Sequence, residues 1–121
     1  MEHSPWKAAQ IIKLLHRNNI QPKTICEIGC GAGEILRQLH VQMSGDISFV
    51  GYEISPDAYE LCKKRISDRL AYKLENLFDS SAYYDIVMAI DVIEHVDDLY
   101  GFLKALKSKG DFKIFHINRA F

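Results

Sequence analysis

No run of 18 apolar residues occurs in this 121-residue chain, and Met1 to Trp6 holds no basic stretch leading into an apolar one. Neither a membrane-spanning helix nor an export signal is therefore expected, and a cytoplasmic location is. Cysteine is scarce and odd in number: Cys26, Cys30 and Cys62. Three thiols make no disulfide framework, and Cys26-x3-Cys30 has no second pair to complete a zinc site, so the thiols read as small, reduced, apolar residues. Neither sign of charge dominates, with 15 Lys and Arg against 16 Asp and Glu. No nucleic-acid footprint follows from that balance, and the local group Lys63, Lys64, Arg65 and Arg69 reads as a solvated helix face. Three prolines and seven glycines leave no low-complexity linker, and no internal repeat is present. With 48% hydrophobic residues the chain is globular, and its length suits one small domain spanning residues 1–121.

What is present is concentrated in Glu27-Ile28-Gly29-Cys30-Gly31-Ala32-Gly33-Glu34. Three alternate glycines follow a short apolar run (Thr24 to Ile28) and precede Ile35, Leu36 and Leu39 at helical spacing. They belong to a strand-to-helix turn, where a missing Cβ lets backbone approach a ligand and the helix aims free N–H groups at the same place. A dinucleotide fingerprint needs a third glycine where this chain has Glu34, and a carboxylate sits badly beside a pyrophosphate. Glu53 ends the next apolar strand, 20 residues beyond Gly33, where such folds bind ribose hydroxyls. A nucleoside cofactor without phosphates meets both observations.

Strand and helix patterns alternate along the chain. A covering helix in residues 1–20 opens at Ser4-Pro5, with Trp6, Ala9, Ile12 and Leu15 or Leu14 on its apolar face. The core, 24–118, reads as strand 24–29, helix 33–43, strand 47–54, a helix from Ser55-Pro56 to about Arg69, and strand 71–75. A polar loop at Asp79 to Ser81, where a crossover helix is short or missing, leads to strand 84–91, helix 97–108 and strand 112–117. The fold class is α/β, a Rossmann-like doubly wound parallel sheet in three α/β/α layers.

With these elements in place, the chain resembles the class I S-adenosylmethionine-dependent methyltransferases from roughly Thr24 to Ile117. The resemblance rests on the glycine motif Glu27 to Gly33, on Gly51-Tyr52-Glu53, and on the fourth-strand run from Asp85 to Val96. It implies strand order 3-2-1-4-5, a ligand crevice between strands one and four, and S-adenosylmethionine as the cofactor. It further implies that Glu27 reads the cofactor's amino-acid end while the backbone from Gly29 through Gly31 to Gly33 packs on methionine and ribose. Glu53 would accept from the two ribose hydroxyls, Ile54 would lie on the adenine face, and the Leu77 N–H would bond a ring nitrogen. Asn76 stands where similar enzymes carry an acid for the adenine amino group; its amide oxygen can accept the same bond, and a turn-forming asparagine is the alternative.

Asp91, Glu94 and His95 end the fourth strand at the crevice. Methyl transfer mainly requires positioning the acceptor and, for oxygen or nitrogen acceptors, removing a proton. His95 suits the base, with a structural role at the start of the loop as the equal alternative, and Asp91 suits contact with the cofactor's edge or the acceptor. Asp91-x2-Glu94-His95 also looks like part of the metal motif of RNA 3′-terminal ribose methyltransferases, but that motif needs another downstream histidine, and His116 falls inside the last strand; no metal is assigned. Family members usually add two antiparallel strands after the fifth, which this sequence does not hold. The reading is thus of a truncated member whose last strand, Phe112 to Ile117, is an exposed edge open to self-association or to a missing segment. Cofactor binding is expected to persist, with weak or no transfer by the chain alone. The methyl acceptor is left open, and a catalytically incomplete cofactor-binding or interaction domain is the alternative.

Overall fold

A computed structural model describes residues 4–43 and 45–116. Five parallel strands form one sheet in the order β3-β2-β1-β4-β5: β1 Thr24–Ile28, β2 Ser48–Glu53, β3 Leu70–Leu74, β4 Tyr84–Ala89 and β5 Gly110–Phe115. Helices α1 (Ser4–Arg17), α2 (Glu34–Gln42), α3 (Pro56–Lys63) and α4 (Leu99–Leu106) connect and cover it. One apolar cluster gathers Ala8, Ile11 and Leu15 of α1 and Ile35, Leu36 and Leu39 of α2 on Ile25, Phe49, Ile86 and Met88. A second, on the opposite face, joins Cys26, Ile28, Tyr52, Leu77 and Val87 to Leu106 of α4. The three layers are as the sequence predicts, and the strand order is the one the family resemblance implies.

Element ends differ in informative ways. Gly33, at φ +81°, breaks the chain out of the glycine turn, so α2 starts at Glu34. Ser55 accepts from the Ala58 N–H and Pro56 occupies the first turn of α3, as predicted, but α3 stops at Lys63 rather than Arg69. Arg69 adopts φ +62° beside a Ser67–Leu70 bridge, a tight entry into β3 that a helix cannot supply. The missing crossover helix is a single 3₁₀ turn, Leu77–Asp79. On α1 the buried face is Ala8, Ile11 and Leu15, while Trp6 stays 60% exposed. The doubled apolar pairs Ala8-Ala9, Ile11-Ile12 and Leu14-Leu15 make two adjacent stripes of equal period, and only docking onto α2 and the sheet selects between them. Within the earlier bounds, residues 1–3 of the covering helix and 117–118 of the core lie outside the described residues.

The strand registers bring the carboxyl ends of the central strands level. Glu27 lies opposite Gly51 and Met88, and Ile28 opposite Tyr52. The ladder continues into the turn, with the Gly29 and Cys30 N–H groups donating to the Tyr52 carbonyl at 2.9 and 3.1 Å. The glycine turn, the end of β2 and the loop after β4 thus meet at the carboxyl ends of the strands, where the strand order reverses between β1 and β4.

Candidate active site

A cleft of about 450 Å³ opens there, lined by Ile28, Gly29, Tyr52, Glu53, Ile54, Glu75, Asn76, Leu77, Phe78, Asp91, Val92, His95 and Phe102. The glycine turn borders it through Gly29, and in that turn Gly29, Gly31 and Gly33 all have positive φ (65°, 57° and 81°). The turn is braced on every side. The Tyr72 hydroxyl donates to the Gly33 carbonyl at 2.6 Å, Arg65 Nε to Ala32 O at 2.8 Å, and the Cys62 thiol to Gly31 O at 3.0 Å. Arg65 therefore leaves the solvated basic face read from sequence. It also ion-pairs with Glu34 at 2.6 Å, and Glu34 takes Arg37 as well, so the acid at the start of α2 is neutralised within the fold. Its nearness to a phosphate site is a weaker argument than the sequence suggests. Cys26, Cys30 and Cys62 are free and buried, and burial pushes all three thiols up, as inert apolar residues require.

Glu53 is buried, and its carboxylate is shared among backbone donors. One oxygen accepts from the Gly31 N–H at 2.8 Å, and the other from Ile54 and Ser55 N–H at 3.0 and 2.9 Å. It thereby ties the glycine turn to the end of β2, a structural task the sequence reading does not contain. Oε2 is saturated by its two donors, and Oε1, with one donor, keeps a lone pair for a further hydrogen bond.

Glu27 is buried to 1% exposure at the end of β1, and its Oε1 has no hydrogen-bond partner among the described residues. Burial pushes its carboxyl from 4.5 up to about 8; the Asp91 charge adds to the rise, the Lys7 ammonium opposes it, and Glu53 raises it further. An orphaned buried carboxylate is costly, and a cationic group satisfies it best.

Asp91 lines the cleft with its side chain 30% exposed, and Lys7 Nζ from α1 holds its Oδ1 at 2.7 Å. Sequence reading missed Lys7, whose position on a covering helix carries no motif. His95 is exposed and lines the same wall, in a 3₁₀ turn, Ile93–His95. The Glu94 side chain lies outside the described residues. His116 lines a different groove, beside Trp6 and Phe115, and no group of three or more His, Cys, Asp or Glu among the described residues is placed to hold a metal.

Asn76 takes up the turn-forming role. Its side-chain oxygen accepts from the Phe78 N–H at 3.0 Å and caps the 3₁₀ turn, leaving its amide nitrogen as the group with spare donors. The Leu77 side chain is fully buried beneath it. Ile54, in contrast, is 72% exposed on the cleft lining, a flat apolar surface held at the strand end. Opposite in sequence but on the same lining, Phe78 and Phe102 meet edge to face at 5.5 Å. These aromatics were invisible as site residues because no motif marks them. The cleft therefore offers apolar surface for a flat ring, carboxylates for hydroxyls and cations, and no arrangement suited to a pyrophosphate.

The methyltransferase-domain family profile matches residues 2–111. The ubiquinone biosynthesis O-methyltransferase of Rickettsia bellii is 30% identical over 120 residues, covering 86% of this chain and 46% of that relative. Its mitochondrial namesake from Schizosaccharomyces pombe is 33% identical over 101 residues, covering 77% and 36%. The chain thus spans less than half the length of these curated relatives. Among solved structures, the magnesium protoporphyrin IX methyltransferase of Synechocystis PCC 6803, with bound S-adenosylmethionine, superposes with a TM-score of 0.72 at 18% identity, over 88% of this chain and 54% of that one. That likeness is one of fold.

Proposed function

This chain belongs to the class I S-adenosylmethionine-dependent methyltransferase family, and we propose that it binds S-adenosylmethionine in the cleft and directs its methyl group to a hydroxyl acceptor. The observation that carries the reading is Glu27: a buried carboxylate with an unpartnered oxygen, beside a glycine turn whose backbone is held open by three left-handed residues. A nucleoside bearing an α-amino acid supplies the missing cation and needs no phosphate site. In this reading Glu53 accepts from a ribose hydroxyl through Oε1, Ile54 lies on the adenine face and the Asn76 amide meets the adenine edge.

When bound, the cofactor supplies an electrophilic methyl on a positively charged sulfur. The protein's own contribution is placement and proton removal. Asp91 and His95 share a wall of the cleft, so either an Asp91 carboxylate oxygen or a His95 ring nitrogen can take the hydroxyl proton as the acceptor attacks. The hydroxyl acceptor is suggested by the relatives, which are O-methyltransferases and longer proteins than this chain. Calorimetry tests the reading: S-adenosylhomocysteine is expected to bind and NAD not to, and tighter NAD binding overturns it.

Association belongs to the same proposal. Among the described residues β5 pairs only with β4 and leaves Phe112 49% and Phe115 39% exposed, with Lys113 half-buried rather than guarding the edge. We expect a second copy to cover this edge, giving a concentration-dependent dimer in sedimentation; a strict monomer at high concentration refutes it. No helix among the described residues is long and apolar enough to cross a membrane. A cytoplasmic location is part of the proposal, and recovery in the membrane pellet on fractionation counts against it.

A further inference from the structure

The cleft is acidic. Glu53, Glu75 and Asp91 line it, Glu27 is buried at the end of β1 beside it, and none of its described lining residues is Lys or Arg. One ammonium nevertheless reaches this wall from outside the motifs. Lys7, on the first turns of α1, keeps its side chain 14% exposed and places Nζ 2.7 Å from Asp91 Oδ1, across 84 residues of sequence. The same ammonium charge acts on Glu27, opposing the effects of burial and of Asp91. A lysine stem on a covering helix normally runs out to water; here it is turned inward onto a cleft acid.

Glu27, a carboxylate with a spare oxygen next to the cleft residue Ile28, and Lys7, whose stem lines the neighbouring groove but whose ammonium sits on the cleft acid Asp91, together offer a complement to the two charged ends of an α-amino acid. Glu27 matches the ligand's ammonium. The ligand's carboxylate, entering among Glu53, Glu75 and Asp91, is repelled unless a cation meets it, and Lys7 is the cation the fold delivers there. We propose that Lys7 is an exchange cation: it holds Asp91 in the free protein and transfers to the carboxylate of a ligand with an α-amino-acid end, releasing Asp91 toward the acceptor. The Asp91 side chain is 30% exposed, so water can solvate the carboxylate that the exchange releases. The inference rests on the cofactor reading above and adds to it the residue that recognises the amino-acid carboxylate.

Two probes separate the possibilities: S-adenosylhomocysteine, and 5′-methylthioadenosine, which keeps the nucleoside thioether but lacks the amino-acid end. In calorimetry, Lys7→Met is expected to weaken S-adenosylhomocysteine about ten- to a hundredfold and to leave 5′-methylthioadenosine within about twofold. Lys7→Arg should restore most of the lost affinity. Asp91→Asn, which removes the competing carboxylate, should tighten S-adenosylhomocysteine, and this arm decides the matter should Lys7→Met fail to fold. Equal effects of Lys7→Met on both probes, or none on either, overturn the exchange, as does an Asp91→Asn variant that loses affinity for S-adenosylhomocysteine. If the unmodified protein binds neither probe, the cofactor reading itself fails and the exchange falls with it.

Discussion

Glu27→Gln is expected to make the free protein more stable at pH 8 and a much poorer binder of the cofactor. The folded protein holds the Glu27 proton up to about pH 8, whereas the unfolded chain releases it near 4.5. The sign follows directly: the folded state binds the proton more tightly, so this group's stability contribution is fully present below pH 4.5 and is lost as pH rises to about 8. At about 1.4 kcal/mol per pKa unit the loss amounts to a few kcal/mol, large against the total stability of a small domain. Glutamine carries no charge to desolvate, so thermal unfolding of the variant should lose that pH dependence and occur at higher temperature at pH 8. Affinity should move the other way. A cationic ligand group draws Glu27 into its ionised form, so S-adenosylhomocysteine binding should tighten from pH 6 to 7.5 and release a proton, visible as a buffer-dependent heat. In Glu27→Gln that dependence should vanish and affinity should drop at least about tenfold, the cost of a charge-assisted hydrogen bond. A variant that melts lower at pH 8 and binds normally refutes the account.

Gly33→Ala and Gly31→Ala should separate folding from binding within one turn. A Cβ on Gly33 meets the buried Tyr72 ring at 2.5 Å, and Tyr72 is anchored there by its hydroxyl on the Gly33 carbonyl. Nothing can yield, and φ +81° adds left-handed strain, so a loss of roughly 2 to 5 kcal/mol is expected in denaturant unfolding. Gly31 is also left-handed, at φ +57°, yet a Cβ there meets nothing within 4 Å. Its variant should fold with only about 1 to 2 kcal/mol of strain, and its larger defect should appear in S-adenosylhomocysteine affinity. Equal stabilities for the two variants, or normal binding by Gly31→Ala, contradicts this division of labour.

The alternation of buried strands with amphipathic helices, and three glycines at one strand-to-helix turn, are local patterns. Hydrophobic period and glycine backbone freedom therefore made the doubly wound class and the ligand turn legible from residues alone, whereas the strand order and the crevice between strands one and four came with the family resemblance. Glu27 and Glu53 were legible for the same reason: each is a charged residue at the end of an apolar strand. Their tasks were not. That Glu53 ties down the Gly31, Ile54 and Ser55 N–H groups while Glu27 Oε1 has no partner among the described residues depends on which donors the sheet register brings close. The choice between two equal stripes on α1 likewise had no local cause; docking onto α2 and the sheet made it, and in doing so turned Lys7 inward onto Asp91. Sequence determines period and punctuation, which act over a few residues. Only the tertiary structure decides pairings such as Lys7 with Asp91, because a charge finds its partner by distance in space and not by separation along the chain.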